Sequence, residues 1–588
     1  MHNDKIDLRS LVRCIHKSNR LVFKWRKSYI VLSFFFSFAL GLLPIMSTLV
    51  MQQVLNAIQM HNTLFQNIAI HVIVYIIIEI LIVILNLRYR YETNKCFRII
   101  NKNIQLSIMR KAGEMRLTDF ENAEIHNKLK RAQEGANSIC SFISGFFAML
   151  SVLASIFSSL IVLSRYNLYL ILIIIIVPVC EYFFLFRISR LQYTVRKRRT
   201  GKERTIWYLG YIVKTGICVK ELKLFGLSDF WAKKVDTITS EIIDEDMSIA
   251  KKGCIGQTIL GICEVIISGV IFALIILDGI HGKILIGDVI TYNKLIFGIK
   301  GNVESILSTV EKMLKDALDV SNYFELIEIP TEEVRPQQIN KINSICFKNV
   351  TFRYESSNKA ALNNVSFELS AGESIALVGV NGSGKSTILK LLLGLYDNYT
   401  GTILVNDIDL RQINKASYSK RVSCIFQDYM KYESTVRENI ACSDISSIKD
   451  DVQIQKALLS VDFCKQGNQR IDPDNVLGSW FDDAIQLSGG EWQRIALGRM
   501  LFKHADMYIL DEPSASLDPN SEEMIMQQYQ KLINSGKIGL ICSHSIIKVG
   551  KYADRIIVVD QGRIVENGTH KELIEKEGIY YNLYNSYI

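Results

Sequence analysis

The sequence predicts an α-helical half with six membrane spans, followed by an α/β half that surrounds a glycine-rich loop. The chain has 588 residues, which is too many for one compact domain. Its long apolar runs all lie in the first 328 residues, whereas the remainder alternates short apolar strands with helices. A glycine-rich turn at 379–386 stands between one such strand and the following helix. These observations predict a membrane domain over 1–328 and an α/β domain over 341–588.

Each of six apolar stretches in the first half is near the ~20 residues that a bilayer core requires. Buried helices of a soluble protein could imitate one such run, but hardly six in succession. The last stretch is the weakest, because Lys294, Lys300 and Glu304 interrupt it. The predicted spans lie near 29–50, 68–87, 139–163, 168–186, 255–277 and 289–310.

The distribution of charge predicts how these spans are oriented. The formal net charge of +9 does not indicate nucleic acid, because Lys and Arg concentrate in the connections 88–138 and 187–252, beside the apolar spans. Basic loops stay in the cytosol, so we expect a multi-pass protein of the cytoplasmic membrane with both termini cytosolic. We expect no cleavable signal before the first span. Twelve scattered cysteines indicate neither a disulfide framework nor a zinc site.

Three carboxylates fall inside apolar spans: Glu79, Glu181 and Glu264. Charge inside a bilayer is costly, so each is a candidate for a functional site. The alternative, which we weigh equally, is that these groups only organise the packing of helices. An acidic cavity that favours a cationic cargo is the hypothesis that follows from the first interpretation.

A polar stretch with two prolines, 329–340, is the expected linker between the halves. The α/β half then carries the G-x-x-x-x-G-K-[ST] pattern, in which glycines let backbone N–H groups approach phosphates. The positive end of the following helix dipole lies at the same place. Lys385 would reach the β- and γ-phosphates, and Ser386 would bind Mg²⁺. We therefore predict an ATP site formed by Gly379, Val380, Asn381, Gly382, Ser383, Gly384, Lys385, Ser386 and Thr387.

Two further motifs follow in a fixed order. Leu487-Ser-Gly-Gly-Glu491 stands at a predicted helix start, and an apolar strand ends in Asp511 and Glu512. With these motifs the whole chain resembles the ATP-binding cassette (ABC) family, and its long cytosolic connections resemble those of the exporters. The resemblance implies an exporter-type membrane domain, a P-loop nucleotide-binding domain, and ATP hydrolysis with Mg²⁺. A purely regulatory membrane sensor is the alternative, against which an intact Glu512 argues.

The resemblance also implies which residues act on ATP. Ser386, Gln427 and Asp511 would hold Mg²⁺. Glu512 would be the general base that orients the attacking water, and His544 would lie near the γ-phosphate. These assignments make Glu512 and His544 the catalytic residues.

A second set of residues is implied to complete the nucleotide site. Tyr354 would stack on adenine. Ser488, Gly489 and Gly490 would cap the γ-phosphate that a partner subunit binds, and Asp518 would lie in the loop that crosses the dimer interface. Six spans with one cassette imply a half-transporter that must dimerise. A homodimer is favoured, and a heterodimer stays open.

Finer motifs at 203–209, 220–226, 426–433 and 477–481 resemble the nisin-type lanthipeptide exporters. This resemblance implies a modified peptide as the cargo, with peptide-modifying enzymes as further partners. The alternative is a multidrug or lipid exporter with the same type of ATPase domain. Glu491 departs from the usual signature glutamine and Ala484 from a frequent glycine, and neither change should abolish activity. The segment 1–28 is too short for the peptidase domain that some peptide exporters carry.

Overall fold

The computed structural model divides the chain into two units. The first comprises Met1–Glu114 and Asn122–Pro330, and the second comprises Met115–Glu121 and Thr331–Ile588. The structure describes residues 8–60, 65–121, 123–164, 166, 169–215, 218–331, 335–355, 357–463, 465–466, 469–470, 472–512, 519–543 and 550–585.

The described residues of the first half of the chain form helices joined by short turns, as predicted. Each predicted span lies in a different long helix: α2, α3, α5, α6, α9 or α10 in the numbering that follows. In chain order the helices are α1 (Leu8–Trp25), α2 (Lys27–Gln59), α3 (Phe65–Glu114), α4 (Leu117–Phe120), α5 (Ala123–Leu163), α6 (Tyr169–Arg198), α7 (Thr200–Lys214), α8 (Val219–Leu224), α9 (Ser228–Ile280) and α10 (Ile286–Ile327).

Four of these helices have described stretches that are long and apolar enough to cross a bilayer. The stretches are Lys27–Gln59, Ile68–Glu114, Lys128–Leu163 and Ser228–Ile280. On α3 the side chains of Ile73, Ile77 and Ile84 are each more than half exposed. A broad apolar face of this kind is unfavourable in water and suits contact with lipid. The fourth and sixth predicted spans lie in α6 and α10, and α10 carries the interrupting charges.

Two of the three intramembrane carboxylates have partners in the first unit. The Ser47 hydroxyl donates a hydrogen bond to Glu79 Oε1 at 2.5 Å. Glu264 on α9 forms an ion pair with Lys300 on α10. The sixth span therefore supplies a base that neutralises Glu264, which removes this residue from the hypothesis of an acidic cavity. Glu181 lies half-buried on α6.

The second unit is an α/β domain, which confirms the predicted fold. Its strands are β1 (Ser344–Phe352), β2 (Leu362–Ser370), β3 (Ser374–Val378), β4 (Thr400–Val405), β5 (Ile408–Asp409), β6 (Val422–Ile425), β7 (Lys465–Gln466), β8 (Gln469–Arg470), β9 (Met507–Asp511), β10 (Ile538–Cys542), β11 (Arg555–Asp560) and β12 (Arg563–Gly568). Its helices beyond α4 are α11 (Lys385–Leu392), α12 (Lys415–Ser419), α13 (Val436–Ala441), α14 (Asp451–Ser460), α15 (Gly489–Phe502), α16 (Pro519–Asn534), α17 (His570–Glu575) and α18 (Ile579–Asn585).

Two sheets organise this unit. The larger has the order β12-β11-β3-β10-β9-β6, and the smaller has the order β2-β1-β4-β5. Strands β11, β3, β10, β9 and β6 run parallel, whereas β12 is antiparallel to β11. Every residue of β3 and β10 is buried, as expected for strands covered on both faces. The parallel strands bring their carboxyl ends to one edge, where ligands bind in such sheets.

The second unit includes most of the predicted linker and also a short segment from the first half of the chain. Within the expected linker 329–340, Arg335 donates to Asp397 Oδ2 at 2.5 Å, and Gln337 forms a β-bridge with Ile413. The C-terminal part of the expected linker is therefore bound to the second unit. Farther upstream, the segment 115–121 also belongs to this unit, and the Tyr396 hydroxyl donates a hydrogen bond to Glu121.

Candidate nucleotide site

The predicted phosphate loop begins where the buried strand β3 ends and closes where α11 starts at Lys385. Gly384 has φ +114°, a conformation that side chains disfavour. A Cβ atom at this position would stand 2.8 Å from Leu362 Cδ2 and 3.0 Å from the Ala361 carbonyl oxygen. Gly379 is equally confined, since its Cβ would stand 2.1 Å from the Val559 carbonyl oxygen. The packing around the loop therefore requires glycine at both positions.

The Lys385 ammonium group lies inside this loop. Its Nζ atom donates to the carbonyl oxygens of Gly379 at 2.7 Å and Val380 at 3.0 Å. Burial lowers the pKa of Lys385, and the neighbouring acidic groups, among them Glu512 and Asp511, oppose that shift. The loop thus holds a cation among backbone groups, which is the arrangement that suits phosphate oxygens.

Other loop side chains differ in exposure. Ser383 is buried, and its hydroxyl oxygen has no hydrogen-bond partner within the described part of the chain. Ser386 is exposed, as are Asn381 and Gly382. Thr387 is buried at the start of α11. An orphaned buried hydroxyl is unfavourable unless a ligand supplies a partner, so the loop fits a group rich in hydrogen-bonding oxygens.

Tyr354 lies beside this loop. Its hydroxyl and the Thr387 hydroxyl are 3.1 Å apart, within hydrogen-bond distance. The ring is half-buried and makes edge-to-face contacts with Phe352 and Tyr396, at centroid distances of 4.9 Å and 5.6 Å. The Lys390 ammonium group lies 5.6 Å from the centre of the same ring. Tyr354 is therefore anchored by packing and lies next to the loop.

A pair of carboxylates lies at the end of β9. Burial and the nearby charges of Glu512 and Asp428 raise the pKa of Asp511 to about 6, and Lys385 opposes them. The Gln427 Nε2 atom donates to Glu512 Oε2 at 2.6 Å. Glu512 also has a left-handed backbone, with φ +48°, and its N–H donates to the Cys542 carbonyl oxygen at 2.9 Å. The structure thus brings Gln427, Asp511 and Glu512 together. Lys385 lies close enough to lower the pKa of Asp511.

The donor chemistry of this group fits Mg²⁺. A hard divalent cation prefers oxygen ligands, which Ser386, Gln427 and Asp511 can provide. Its charge would also favour the ionised form of Asp511, whose pKa is raised chiefly by burial and further by the carboxylates of Glu512 and Asp428. Among the described residues no three His, Cys, Asp or Glu side chains form a metal cluster. Such an ion would therefore need oxygens from a ligand in addition to those of the protein.

The signature residues stand at the start of α15. Ser488 is the N-cap residue, and it shares two hydrogen bonds with Glu491. Ser488 and Gly489 are exposed, and Gly490 is partly exposed. Within the described residues they form no hydrogen bond to the loop 379–387, although the Tyr429 hydroxyl donates to the Gly489 carbonyl oxygen at 3.3 Å. Among the described residues, the signature is therefore not hydrogen-bonded to the phosphate loop of its own chain.

Two cavities border the carboxylates and the signature helix, and the motifs alone did not predict them. One, of about 400 Å³, has Gln427, Asp428, Gln493 and Glu512 in its wall. The other, of about 510 Å³, lies between β6 and α15 and has mainly apolar walls. Asp428 follows Gln427 and lies within the motif 426–433, but neither observation indicated that it lines a cavity. His544 and Asp518 lie outside the described residues.

Comparisons with known proteins agree with this geometry. Residues 362–515 match the family model described as ABC transporter. The chain is 32% identical to the subtilin transport ATP-binding protein SpaT of Bacillus subtilis, over 98% of this chain and 94% of that protein. It is 30% identical to the nisin transport ATP-binding protein NisT of Lactococcus lactis subsp. lactis, over 96% and 95%.

More distant similarities extend to other transporters. An ATP-dependent lipid A-core flippase of Methylobacillus flagellatus is 28% identical over 66% of each chain. The solved structure of a bacterial Atm1-family ABC exporter with ATP bound superposes with a TM-score of 0.75 over 99% of both chains. The sequence identity to that exporter is 21%, so the likeness shows the shared fold alone.

Proposed function

Because this chain belongs to the ABC transporter family, as a half-transporter of the exporter type, we propose that it exports a modified peptide of the lantibiotic class. The observation that carries this proposal is the extent of the similarity to the subtilin and nisin transport proteins, which covers nearly all of both chains. A shared cassette alone would not span the membrane half. Lipid export is the competing function, and the matching flippase covers a smaller share of this chain.

The protein would lie in the cytoplasmic membrane, with the second unit and both termini in the cytosol. The basic connections 88–138 and 187–252 support this orientation, because positive loops are retained on the cytosolic side. Cytosolic ATP would then be accessible to the second unit. The enzymes that modify the peptide would be further partners on the same side.

We assign the phosphate loop, from Gly379 to Thr387, to the triphosphate of ATP. Lys385 would exchange its two carbonyl partners for β- and γ-phosphate oxygens, which costs little because its position is already fixed. Tyr354, anchored beside the loop, would stack on adenine. Bound Mg²⁺ would supply charge neutralisation at the phosphates, and Ser386, Gln427 and Asp511 would hold it.

Glu512 is the proposed general base. Its carboxylate would orient a water molecule, accept the proton of that water as the oxygen attacks the γ-phosphorus, and so help break the bond to the β-phosphate oxygen. Gln427 keeps that carboxylate within the site through its 2.6 Å hydrogen bond. His544 would act beside Glu512, near the γ-phosphate.

We propose a homodimer in which each ATP is shared between two chains. The N–H groups at the start of α15 form an anion site, yet this helix start makes no hydrogen bond to its own phosphate loop within the described residues. Ser488, Gly489 and Gly490 would therefore contact the γ-phosphate held by the partner, with Asp518 at the same interface. Hydrolysis would release this contact, and the cycle of closing and opening would drive export.

The decisive experiment measures ATPase activity of the purified full-length protein in liposomes. We expect stimulation by a modified peptide precursor with its leader, and little response to the unmodified precursor or to lipid A. Cells that lack the protein should retain the modified peptide. Stimulation by lipids or hydrophobic drugs, without a response to the precursor, would replace the peptide proposal with the lipid or multidrug alternative.

A further inference from the structure

The signature helix α15 begins with a reciprocal pair of hydrogen bonds. The Ser488 Oγ atom accepts from the backbone N–H of Glu491 at 3.3 Å, and the Glu491 Oε2 atom accepts from the backbone N–H of Ser488 at 2.7 Å. This capping box satisfies two of the N–H groups that a helix start leaves without partners. The position of Glu491 is thereby coupled to the conformation of the signature.

The same pair leaves three donors available. The N–H groups of Gly489 and Gly490 have no acceptor among the residues that the structure describes. The Ser488 oxygen already accepts a hydrogen bond, so its own proton is free to be donated. All three donors lie at the positive end of the helix dipole. In the proposed homodimer, the anion that they would meet is the γ-phosphate of the partner's ATP.

Glu491 has two opposing effects on this anion. Its hydrogen bond orders the signature, which favours binding. Its negative charge, with an oxygen atom only 2.7 Å from the first backbone nitrogen of the cap, repels the phosphate and offsets the dipole. Glutamine would form the same capping box without the charge.

We infer that Glu491 is a positioning residue: it orders the signature, while its charge weakens the binding of the signature to the partner's ATP. This inference rests on the proposed homodimer. Weaker binding lets the two subunits separate more readily after hydrolysis, but it raises the ATP concentration needed to bring them together. The net effect of the residue is therefore the difference between an ordering contribution and an electrostatic one.

The two contributions are separable with two substitutions, measured through the KM for ATP of the full-length protein in liposomes. Glu491→Gln keeps the hydrogen bond and removes the charge, so the KM should fall about two- to fivefold. Glu491→Ala removes both, and the loss of the cap should outweigh the loss of charge, so the KM should rise about two- to fivefold. High salt should reduce the difference between the native protein and Glu491→Gln, because salt screens charge.

A matched control exists in α17, where Thr569 and Glu572 form the same capping box. Glu572→Gln should leave the KM for ATP unchanged. An unchanged or higher KM for Glu491→Gln would overturn the inference while leaving the homodimer intact. The homodimer has its own test: Ser488→Arg should abolish hydrolysis, and native hydrolysis in that variant would overturn the shared site itself.

Discussion

Glu512 has a backbone conformation that glutamate rarely adopts. Its φ of +48° is sustained by a hydrogen bond from its N–H to Cys542 and by a hydrogen bond from Gln427 to its side chain. Such conformations persist only where the surroundings hold them, and they cluster at active sites. At the scale of single residues, these two hydrogen bonds therefore fix the position of the Glu512 carboxylate in a site that also holds the buried Lys385.

Replacement of Glu512 by Gln tests the function of this carboxylate. The amide can keep a hydrogen bond with Gln427 but cannot accept the proton of the attacking water. We expect ATP binding and cassette dimerisation to persist while hydrolysis falls about 10²- to 10³-fold. Equilibrium binding of labelled ATP and the rate of phosphate release measure the two effects. Hydrolysis at more than a tenth of the native rate would show that another group is the base.

Gly384 is a residue of the phosphate loop that tolerates a side chain poorly. Its φ of +114° and the 2.8 Å approach to Leu362 predict that Gly384→Ala displaces the loop and lowers ATP affinity at least about tenfold. Gly372→Ala is the matched control, because Gly372 has φ +83° with open space around it and lies outside the loop. The control should lose stability by about 1 kcal/mol, measured by thermal unfolding, and keep its ATP affinity. Equal ATP affinity of both variants would contradict the argument.

The residue types of this site could be predicted from the sequence, but their conformations could not. The glycine-rich pattern around Lys385 and Ser386 indicated phosphate chemistry, whereas the roles of Asp511 and Glu512 were implied by the resemblance to the ABC family. Nothing local to Glu512 indicated a left-handed backbone, since that conformation depends on Cys542, thirty positions away on the neighbouring strand. The roles of His544 and Asp518 stay predictions from resemblance.

At the scale of elements, apolar composition predicted where the long helices lie but not where they end. Helix α3 extends from Phe65 to Glu114, although only its first part is apolar enough to mark a span. The polar continuation has no sharp stop signal, so hydropathy alone underestimates its length. The segment 115–121 likewise gave no local sign that it belongs to the second unit, because that assignment depends on contacts such as the one between Tyr396 and Glu121.

The ion pair between Glu264 and Lys300 joins two of these long helices. Both side chains are largely buried, and Glu304 offers Lys300 a second carboxylate at 3.8 Å. Removal of Glu264 leaves Lys300 with only the more distant carboxylate of Glu304, which costs up to about 3 kcal/mol. We expect Glu264→Gln to lower the temperature of thermal inactivation in liposomes by several degrees.

A charge reversal tests whether the pair itself causes that loss. Because Glu304 would repel a carboxylate introduced at position 300, the comparison is made in the Glu304→Gln background. There, Glu264→Lys and Lys300→Glu should each be destabilising alone, and their combination should restore most of the native inactivation temperature. If the double reversal is as unstable as either single change, the two helices are not held by this pair.

At the scale of the whole molecule, one chain contains one phosphate loop and one signature helix that make no hydrogen bond to each other within the described residues. In a dimer with a two-fold axis, every contact between the chains occurs twice. If the signature of one chain contacts the loop of its partner, the signature of the partner therefore contacts the loop of the first chain. Such a dimer would form two shared sites from four half-sites. Because an isolated chain would have no complete site, we expect it to have little ATPase activity.

Complementation between two inactive variants tests this arrangement directly. Lys385→Ala damages the loop but leaves the signature intact, and Ser488→Arg does the reverse. Neither homodimer should hydrolyse ATP.

The two variants are then co-expressed with different tags, and mixed dimers are isolated. Each mixed dimer should contain one complete site, made of the loop of one chain and the signature of the other. Hydrolysis by the mixed dimers should reach about half of the native rate if the sites act independently, and less if they are coupled. Mixed dimers as inactive as both parents would show that coupling between the sites is absolute or that no site is shared. ATP-dependent crosslinking of Ser488→Cys to Asn381→Cys across the dimer would then decide, because both positions are exposed and only a shared site brings them together.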